Sequence, residues 1–517
     1  VLTSVANDVY LKKEYENQFS DKLIYGRNPT ERIVSVEVFD DNIEVFMEDN
    51  KGNVISGYHK PKLWILSNEA HSSRWKRLRG NLYFKYGRLC DSVDEFKNLK
   101  HKLGWKGFTV YDLKENVLIK EGYTYFKGMK HDEVSILSFD IETTGLNHDD
   151  SSDVLLIANT FRRNGKLTRK MFAYDDYKTR GHMIQAWVKW VGEMNPSIIC
   201  GHNIVSFDLP YLRYCAQRAG IPELELGRNG SGVSFEKDDS FFRIDQTRSQ
   251  QYKKIKIYGR EIVDTLFLAW KYDVEKKYES YGLKNIIKQE GMEVKERVFY
   301  DAGTIKDNYL NPIEWKKIKD YALYDADDSL NLYDKMSPAF FYLAQSVPKS
   351  FQTITESATG SQINSVMIRA YLQDGHSIPK PSAVGEYVGG TSIGNPGIYK
   401  NVFKVDVASM YPSIILEYNV YDPKKDPEGK FLEIVEKFTK RRLKHKELGK
   451  TDKYYDGLQQ SEKIFINSCY GFLSTKGLNF NIPEGAAFVT GKGRDILQTA
   501  IEWTKTNGLV LVNADTD

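Results

Sequence analysis

Residues 134–141 read VSILSFDI, and with Glu142 just beyond they set the hardest condition on the fold. An apolar run of this length bounded by charged and turn residues is a strand. Side chains alternate along a strand, so Asp140 and Glu142, two apart, leave the same face at its end. Gly145 closes the turn that follows. Two carboxylates this close repel each other unless one is protonated or a cation lies between them. The strand end is therefore a candidate metal site.

Two further pieces carry acids in patterned positions. In residues 197–212 (SIICGHNIVSFDLPYL) the apolar Ile198-Ile199 reads as a strand, followed by a loop with Asn203 and then Phe207-Asp208. Taken alone, Asp208 also suits a helix N-cap. Residues 321–333 (YALYDADDSLNLY) read as a helix, with Tyr321 and Asp325 four apart on one face. By itself that pair equally fits a solvated helix face. Between these pieces, residues 255–266 read as a hairpin-like strand pair with Asp264 as a weaker candidate.

The second half is organised around residues 401–414, NVFKVDVASMYPSI. Val402, Phe403 and Val405 read as a short buried strand that ends at Asp406. A carboxylate there, beside backbone carbonyls not yet committed to helix hydrogen bonds, suits a hard divalent cation, while a lone Asp before a turn is the plainer alternative. Pro412 is placed to start a helix. Residues 431–448 and 453–472 then read as two helices broken at Gly449, each of about 30 Å, projecting as an antiparallel pair. Arg442 and Lys446 share one face of the first, and Lys463, Asn467 and Tyr470 one face of the second; such charge also suits a solvated surface. Residues 509–512 read as a buried strand leading to Asp515-Thr516-Asp517.

Composition narrows the class. A chain of 517 residues holds three or more domains of about 100–200 residues. A net charge of +3 excludes a general polycation, so any nucleic-acid surface is local, as in residues 437–450. The four cysteines form no C-x-x-C pair, which argues against a disulfide scaffold or zinc ribbon. No signal peptide and no apolar run near 18 residues is visible, so a cytoplasmic chain is expected. Residues 1–130 alternate strand-like runs (32–39, 42–47, 63–67, 82–86) with turns, as in a β-rich accessory domain.

Taken together, D-x-E, N-x3-F-D and Y-x3-D in this order resemble a DEDD-type 3′–5′ exonuclease of the version with Tyr in its third motif. D-x-x-S-x-Y-P-S-I, R-x3-K, K-x3-N-S-x-Y-G, A-x-V-T-G-x-G-R and D-T-D resemble the motifs of family B (alpha-like) DNA polymerases. The resemblance covers residues from about 130 onward and implies roles residue by residue. Asp140, Glu142, Asp208 and Asp325 would hold two metals, with Tyr321 orienting the attacking water. Asp406 and Asp517 would bind two Mg²⁺ in synthesis, with the Val407 carbonyl as a further ligand and Asp515 assisting. Arg442 and Lys463 would grip the triphosphate, with Lys446 and Asn467 beside them, and Tyr411 would underlie the sugar and exclude a ribose 2′-hydroxyl. Tyr387, Gly389 and Gly390 of EYVGG would contact the template strand.

The fold class expected is multidomain α/β. It comprises a β-rich N-terminal domain (1–130), an RNase H-like exonuclease (131–340), a helical connection (341–380), and an incomplete ferredoxin-like palm (381–428 and 475–517) carrying two-helix fingers (429–474), with the thumb absent. The function expected is DNA-templated DNA synthesis with proofreading, using Mg²⁺ that Mn²⁺ can replace. Primer-template DNA, deoxynucleoside triphosphates, a C-terminal polymerase fragment and a sliding clamp are the expected partners, and no membrane. An exonuclease-only nuclease and a non-catalytic DNA-binding replication subunit are the rival readings.

Overall fold

The computed structural model describes residues 19–39, 41–244, 248–295, 297–407 and 409–516. The N-terminal part builds two small antiparallel sheets. Strands β1 (Ile33–Phe39), β2 (Asn42–Glu48) and β3 (Val54–His59) form a meander. Strands β4 (Leu63–Ser67), β5 (Lys76–Arg77), β6 (Tyr86–Cys90) and β7 (Gly107–Phe108) pair in the order β5-β6-β4-β7. Of the run 82–86 only Tyr86 is in a strand, because Phe84 instead makes an isolated bridge to Ile378.

The third sheet has five strands: β8 (Ile136–Thr143), β9 (Val154–Arg163), β10 (Lys166–Ala173), β11 (Ile198–Gly201) and β14 (Glu261–Asp264), in the order β10-β9-β8-β11-β14. β8 runs antiparallel to β9 and parallel to β11. Leu137, Phe139 and Ile141 of β8 join one apolar cluster with Trp187 of helix Arg180–Met194. The alternate residues face helix Pro312–Met336, where the Ser138 hydroxyl donates to the Ala326 carbonyl at 2.8 Å. Period two then puts Asp140 and Glu142 on the side of that helix, which carries Tyr321 and Asp325. The helix is begun by Asn311, which accepts from the Ile313 and Glu314 amides, with Pro312 in its first turn.

Strands β12 (Ser234–Arg243) and β13 (Ser249–Lys256) form a separate hairpin. The expected strand pair over 255–266 is therefore corrected: β13 pairs with β12 and β14 with β11, and only an Ile257–Arg260 bridge joins them. Helices Pro338–Ala344, Phe351–Glu356 and Thr359–Gln373 lead into the second half.

There, helices Lys430–Leu448 and Lys453–Ser474 run antiparallel. Phe438 stacks on Phe465 at 4.0 Å between centroids, and Phe431 meets Phe472 at 5.4 Å. Buried Glu462 takes a 3.2 Å ion pair from Arg441 and lies 2.9 Å from His445 Nδ1. Glu462 and Arg441 share the interior, so their chain neighbours Lys463 and Arg442 are turned away from it by one helical step.

Two expected strands are absent. Residues 402–407 are irregular and exposed, Phe403 by 64% and Val405 by 82%. Residues 509–512 are irregular as well, with Val510 exposed by 74%. Apolar alternation makes a strand only where a neighbour pairs with it, and among the described residues neither run forms a ladder; Asn395 reaches the second, donating to the Val512 and Leu511 carbonyls. The strand here is β16 (Asn513–Asp515), antiparallel to β15 (Ser392–Gly394) with Ser392 opposite Asp515.

Candidate active site

Ligand atoms of Asp140, Glu142 and Asp325 all lie within 4.8 Å of one another, which brings the D-x-E strand and the Y-x3-D helix into one site. Glu142 and Asp325 are buried and Asp140 is half-buried. Burial, then the charges of Asp325, Asp208 and Glu142, push the Asp140 carboxyl well above the usual range. Burial and Asp325 do the same to Glu142. Asp325 is also raised by burial, against which a hydrogen bond from Tyr321, the charge of Lys284 and Arg297 all act.

Asp208 is the first residue of helix Asp208–Arg218, one past the N-cap position, which Phe207 holds. It is buried, and burial together with the Asp264 charge lifts its carboxyl to about 8. Asp264 itself is a bracket. It caps helix Thr265–Tyr272 and accepts from the amides of Asn203 (2.8 Å), Val205 (3.1 Å) and Leu266 (2.9 Å). Asn203 sits at φ +68°, a left-handed conformation that Asn tolerates. The N-x3-F-D loop thus takes its shape from an acid about sixty residues further on.

Two cations complete the site without any local signature in the sequence. The Lys284 ammonium lies 4.2 Å from the centre of the Tyr321 ring and bears on Asp140, Glu142 and Asp325. It follows directly on Ser280-Tyr281-Gly282-Leu283, a stretch fixed in place by His202, whose Nε2 lies 2.8 Å from the Tyr281 carbonyl oxygen. Arg297 is fully buried and pairs with Asp325 at 2.6 Å and with Asp328. Both aspartates stand on one face of helix Pro312–Met336, so Arg297 fixes the rotamer of Asp325 from behind.

The second half converges on a different point. The Tyr411 ring, on helix Met410–Glu417, packs against Tyr470 at 4.8 Å, and the Tyr470 hydroxyl lies 3.0 Å from that of Tyr387. A Cβ on Gly493 would come 3.0 Å from the Tyr411 ring, so this position has room for little more than glycine. Arg442 donates to the Ser409 hydroxyl, and Ser409 takes a left-handed φ of +55°. Thr490 and Arg494, four apart on helix Pro483–Thr506, both donate to the Val388 carbonyl, at 3.0 and 2.9 Å, and Arg494 also to that of Gly389. Gly390 follows in the same irregular stretch.

Other expected residues stand apart. Lys446, Lys463 and Asn467 are exposed on the helix pair. Asp406 and Val407 lie in the exposed 402–407 stretch, Asp515 ends β16, and Asp517 lies outside the described residues. Among the described residues, Asp406 and Asp515 belong to no group of three acids as close as the first.

Residues 111–286 match the sequence family described as DNA polymerase family B, exonuclease domain, and residues 431–514 match DNA polymerase family B, together just over half of the chain. The chain belongs to the family B DNA polymerases. Among family B relatives, the DNA polymerase of Archaeoglobus fulgidus is 26% identical over 420 residues, which are 75% of this chain and 50% of that protein. The DNA polymerase delta catalytic subunit of Dictyostelium discoideum is 26% identical over 452 residues, 74% of this chain and 40% of that protein. The chain thus spans about half the length, or less, of these curated relatives. The structure of the family B DNA polymerase of Pyrobaculum calidifontis shares the fold at a TM-score of 0.74 with 19% identity, covering 93% of this chain and 73% of that one. No helix among the described residues is long and apolar enough to cross a membrane.

Proposed function

We propose that this chain serves DNA-templated DNA synthesis with 3′–5′ proofreading, and that its first site is a complete exonuclease centre. The observation that carries this is the meeting of Asp140, Glu142 and Asp325 within 4.8 Å, with Asp208 close enough to raise Asp140 further. Buried acids that oppose one another's ionisation, with only oxygen donors around them, fit hard divalent cations, Mg²⁺ with Mn²⁺ as a substitute, two to a site. Such cations supply a nucleophile at neutral pH and neutralise charge on the phosphate. Asp140, Glu142, Asp208 and Asp325 would hold them. Tyr321, hydrogen-bonded to Asp325, orients the attacking water. Lys284 offsets the remaining negative charge, and Arg297 and Asp264 fix the acids.

In the same reading Asp406, Asp517 and the Val407 carbonyl hold the cations for synthesis, with Asp515 assisting. Arg442, Lys463, Lys446 and Asn467 receive the triphosphate. Tyr411, braced by Tyr470 and Gly493, underlies the sugar, while Tyr387, Gly389 and Gly390 meet the template strand. The division into N-terminal domain, exonuclease, connection, palm and fingers follows, as does cytoplasmic or nucleoid-associated work alongside a sliding clamp. Two exposed apolar stretches, Phe403 with Val405 and Trp503 with Val510, favour cover by a C-terminal polymerase fragment.

A rival reading, an exonuclease-only nuclease, draws on the fact that only the first site clusters its acids among the described residues. Two assays separate them. A 5′-labelled single strand should be shortened from its 3′ end with Mg²⁺, and Asp140→Ala with Glu142→Ala should stop this; undiminished degradation would refute the site. Primer extension, with and without a fragment spanning the rest of a relative's length, tests synthesis. No extension in either case would leave the nuclease reading.

A further inference from the structure

Residues 60–112 hold twelve Lys and Arg against five Asp and Glu, a surplus of seven in a chain that nets only +3, so the remainder is acidic on balance. This segment spans the β4–β7 sheet and the helix Val93–Leu103 that packs on it. Val93, Phe96 and Leu103 form the helix's buried side, leaving Lys97, His101 and Lys102 exposed. The acids of the segment are largely engaged: Glu95 pairs with Arg74 at 2.9 Å and with Arg88, and Asp91 with Lys62 at 2.5 Å. Among the described residues no carboxylate lies within ion-pair distance of Lys97, Lys100 or Lys102.

Beside these lysines stand two aromatic rings that the fold does not use. Trp105 is exposed by 84% and Tyr111 by 87%, more than any other aromatic side chain among the described residues. The Lys100 ammonium lies 5.3 Å from the centre of the Tyr111 ring, so the charge and the flat faces belong to one patch. A soluble surface gains nothing from two large rings held in water. Phosphates alone would call for charge without rings, and an acidic peptide would likewise have no use for flat faces. Unstacked bases strung on phosphates use both, through stacking and a basic track.

We propose that single-stranded DNA docks here, its bases stacking on Trp105 and Tyr111 and its phosphates running along Lys97, Lys100, Lys102 and Lys106. The choice of DNA rests on the proposed function above, but binding does not require either catalytic site.

The test uses the full chain in EDTA, so that no strand is degraded, with a fluorescein-labelled dT20 followed by anisotropy. A second readout is photocrosslinking of the same strand carrying 5-iodo-deoxyuridine, with adducts mapped by mass spectrometry. We expect adducts on Trp105 or Tyr111. Trp105→Ala with Tyr111→Ala should weaken binding about thirtyfold or more with the salt slope unchanged. Lys97→Gln with Lys100→Gln and Lys102→Gln should instead lower the slope of log K against log salt by about 2, at ~0.7 per phosphate contact. Adducts confined to other segments, or an aromatic variant that binds dT20 like the wild type, would overturn the proposal. So would equal competition by polyglutamate, which would mark the patch as a protein-docking surface. Failure here leaves the exonuclease assay untouched, and failure of that assay leaves this binding untouched.

Discussion

Replacing Glu142 by Gln should make the chain more stable when metal is removed. Its ligand atoms and those of Asp140 and Asp325 lie within 4.8 Å of one another. At an effective dielectric near 20, two charges that far apart repel by ~3.5 kcal/mol, so an ionised Glu142 facing ionised Asp140 and Asp325 would meet roughly 7 kcal/mol, which Lys284 and Arg297 offset only in part. Protonating one carboxyl at pH 7 costs only ~3.7 kcal/mol, at 1.36 kcal/mol per unit from a reference near 4.3. The proton therefore stays, and the metal-free site holds at least one. Glutamine keeps the shape and spares that cost, a gain of about 3–4 kcal/mol at pH 7 and about 1 kcal/mol at pH 5.

The sign follows from the direction of the shifts. These carboxyls are raised in the folded chain, so their contribution is full below the unfolded carboxylate pKa. It is lost as pH rises through the folded values, that of Asp208 being about 8. In EDTA the wild type should lose stability between about pH 5 and 8, and E142Q should lose less. Saturating Mg²⁺ should stabilise the wild type more than E142Q. Hydrogen exchange of the β8 amides at several pH values reads this locally, without assuming that the whole chain unfolds as one unit. A metal-free E142Q that exchanges faster than wild type at pH 7, or a wild type whose protection grows from pH 5 to 8, would refute the reasoning.

Three other changes test the remaining structure. Glu462→Ala leaves buried His445 and half-buried Arg441 without their acid, and should cost the helix pair about 3 kcal/mol, read as faster proteolysis at Gly449–Thr451. Tyr411→Ala should permit ribonucleotide incorporation wherever synthesis is reconstituted; unchanged rejection of ribonucleotides would show that Tyr411 is not the gate. Arg297→Lys keeps one charge but not the fork that reaches both Asp325 and Asp328. It should raise the Mg²⁺ concentration needed for half-maximal degradation about tenfold, on the scale of lost ligand-orienting contacts.

The sequence speaks most clearly where a local period decides the outcome. Alternation along residues 136–143 placed Asp140 with Glu142, and helical spacing placed Tyr321 with Asp325 and divided the charged from the apolar faces of the long helix pair. What could not be read are contacts made by chain remote in sequence. Arg297 reaches Asp325 from 28 residues away, Asp264 shapes the Asn203 loop from 61, and no spacing announces either. The runs 402–405 and 509–512 show the opposite error. Their residues favour a strand, but a strand is a property of two segments, and the described partner for this region is residues 392–394, joined to 513–515.

That pairing bears on where the family can change length. Residues 388–395 are tied at both ends, to Thr490 and Arg494 through Val388, and to Val512 and Thr516 through Asn395 and Thr391. One inserted residue there would slip β15 against Asp515 and turn the β15 side chains beyond it to the other face. Among the described residues, 396–404 carry no such ties to β16, and Ile398 is exposed by 99%. Insertions and deletions among homologues should therefore gather in 396–404 and spare 388–395.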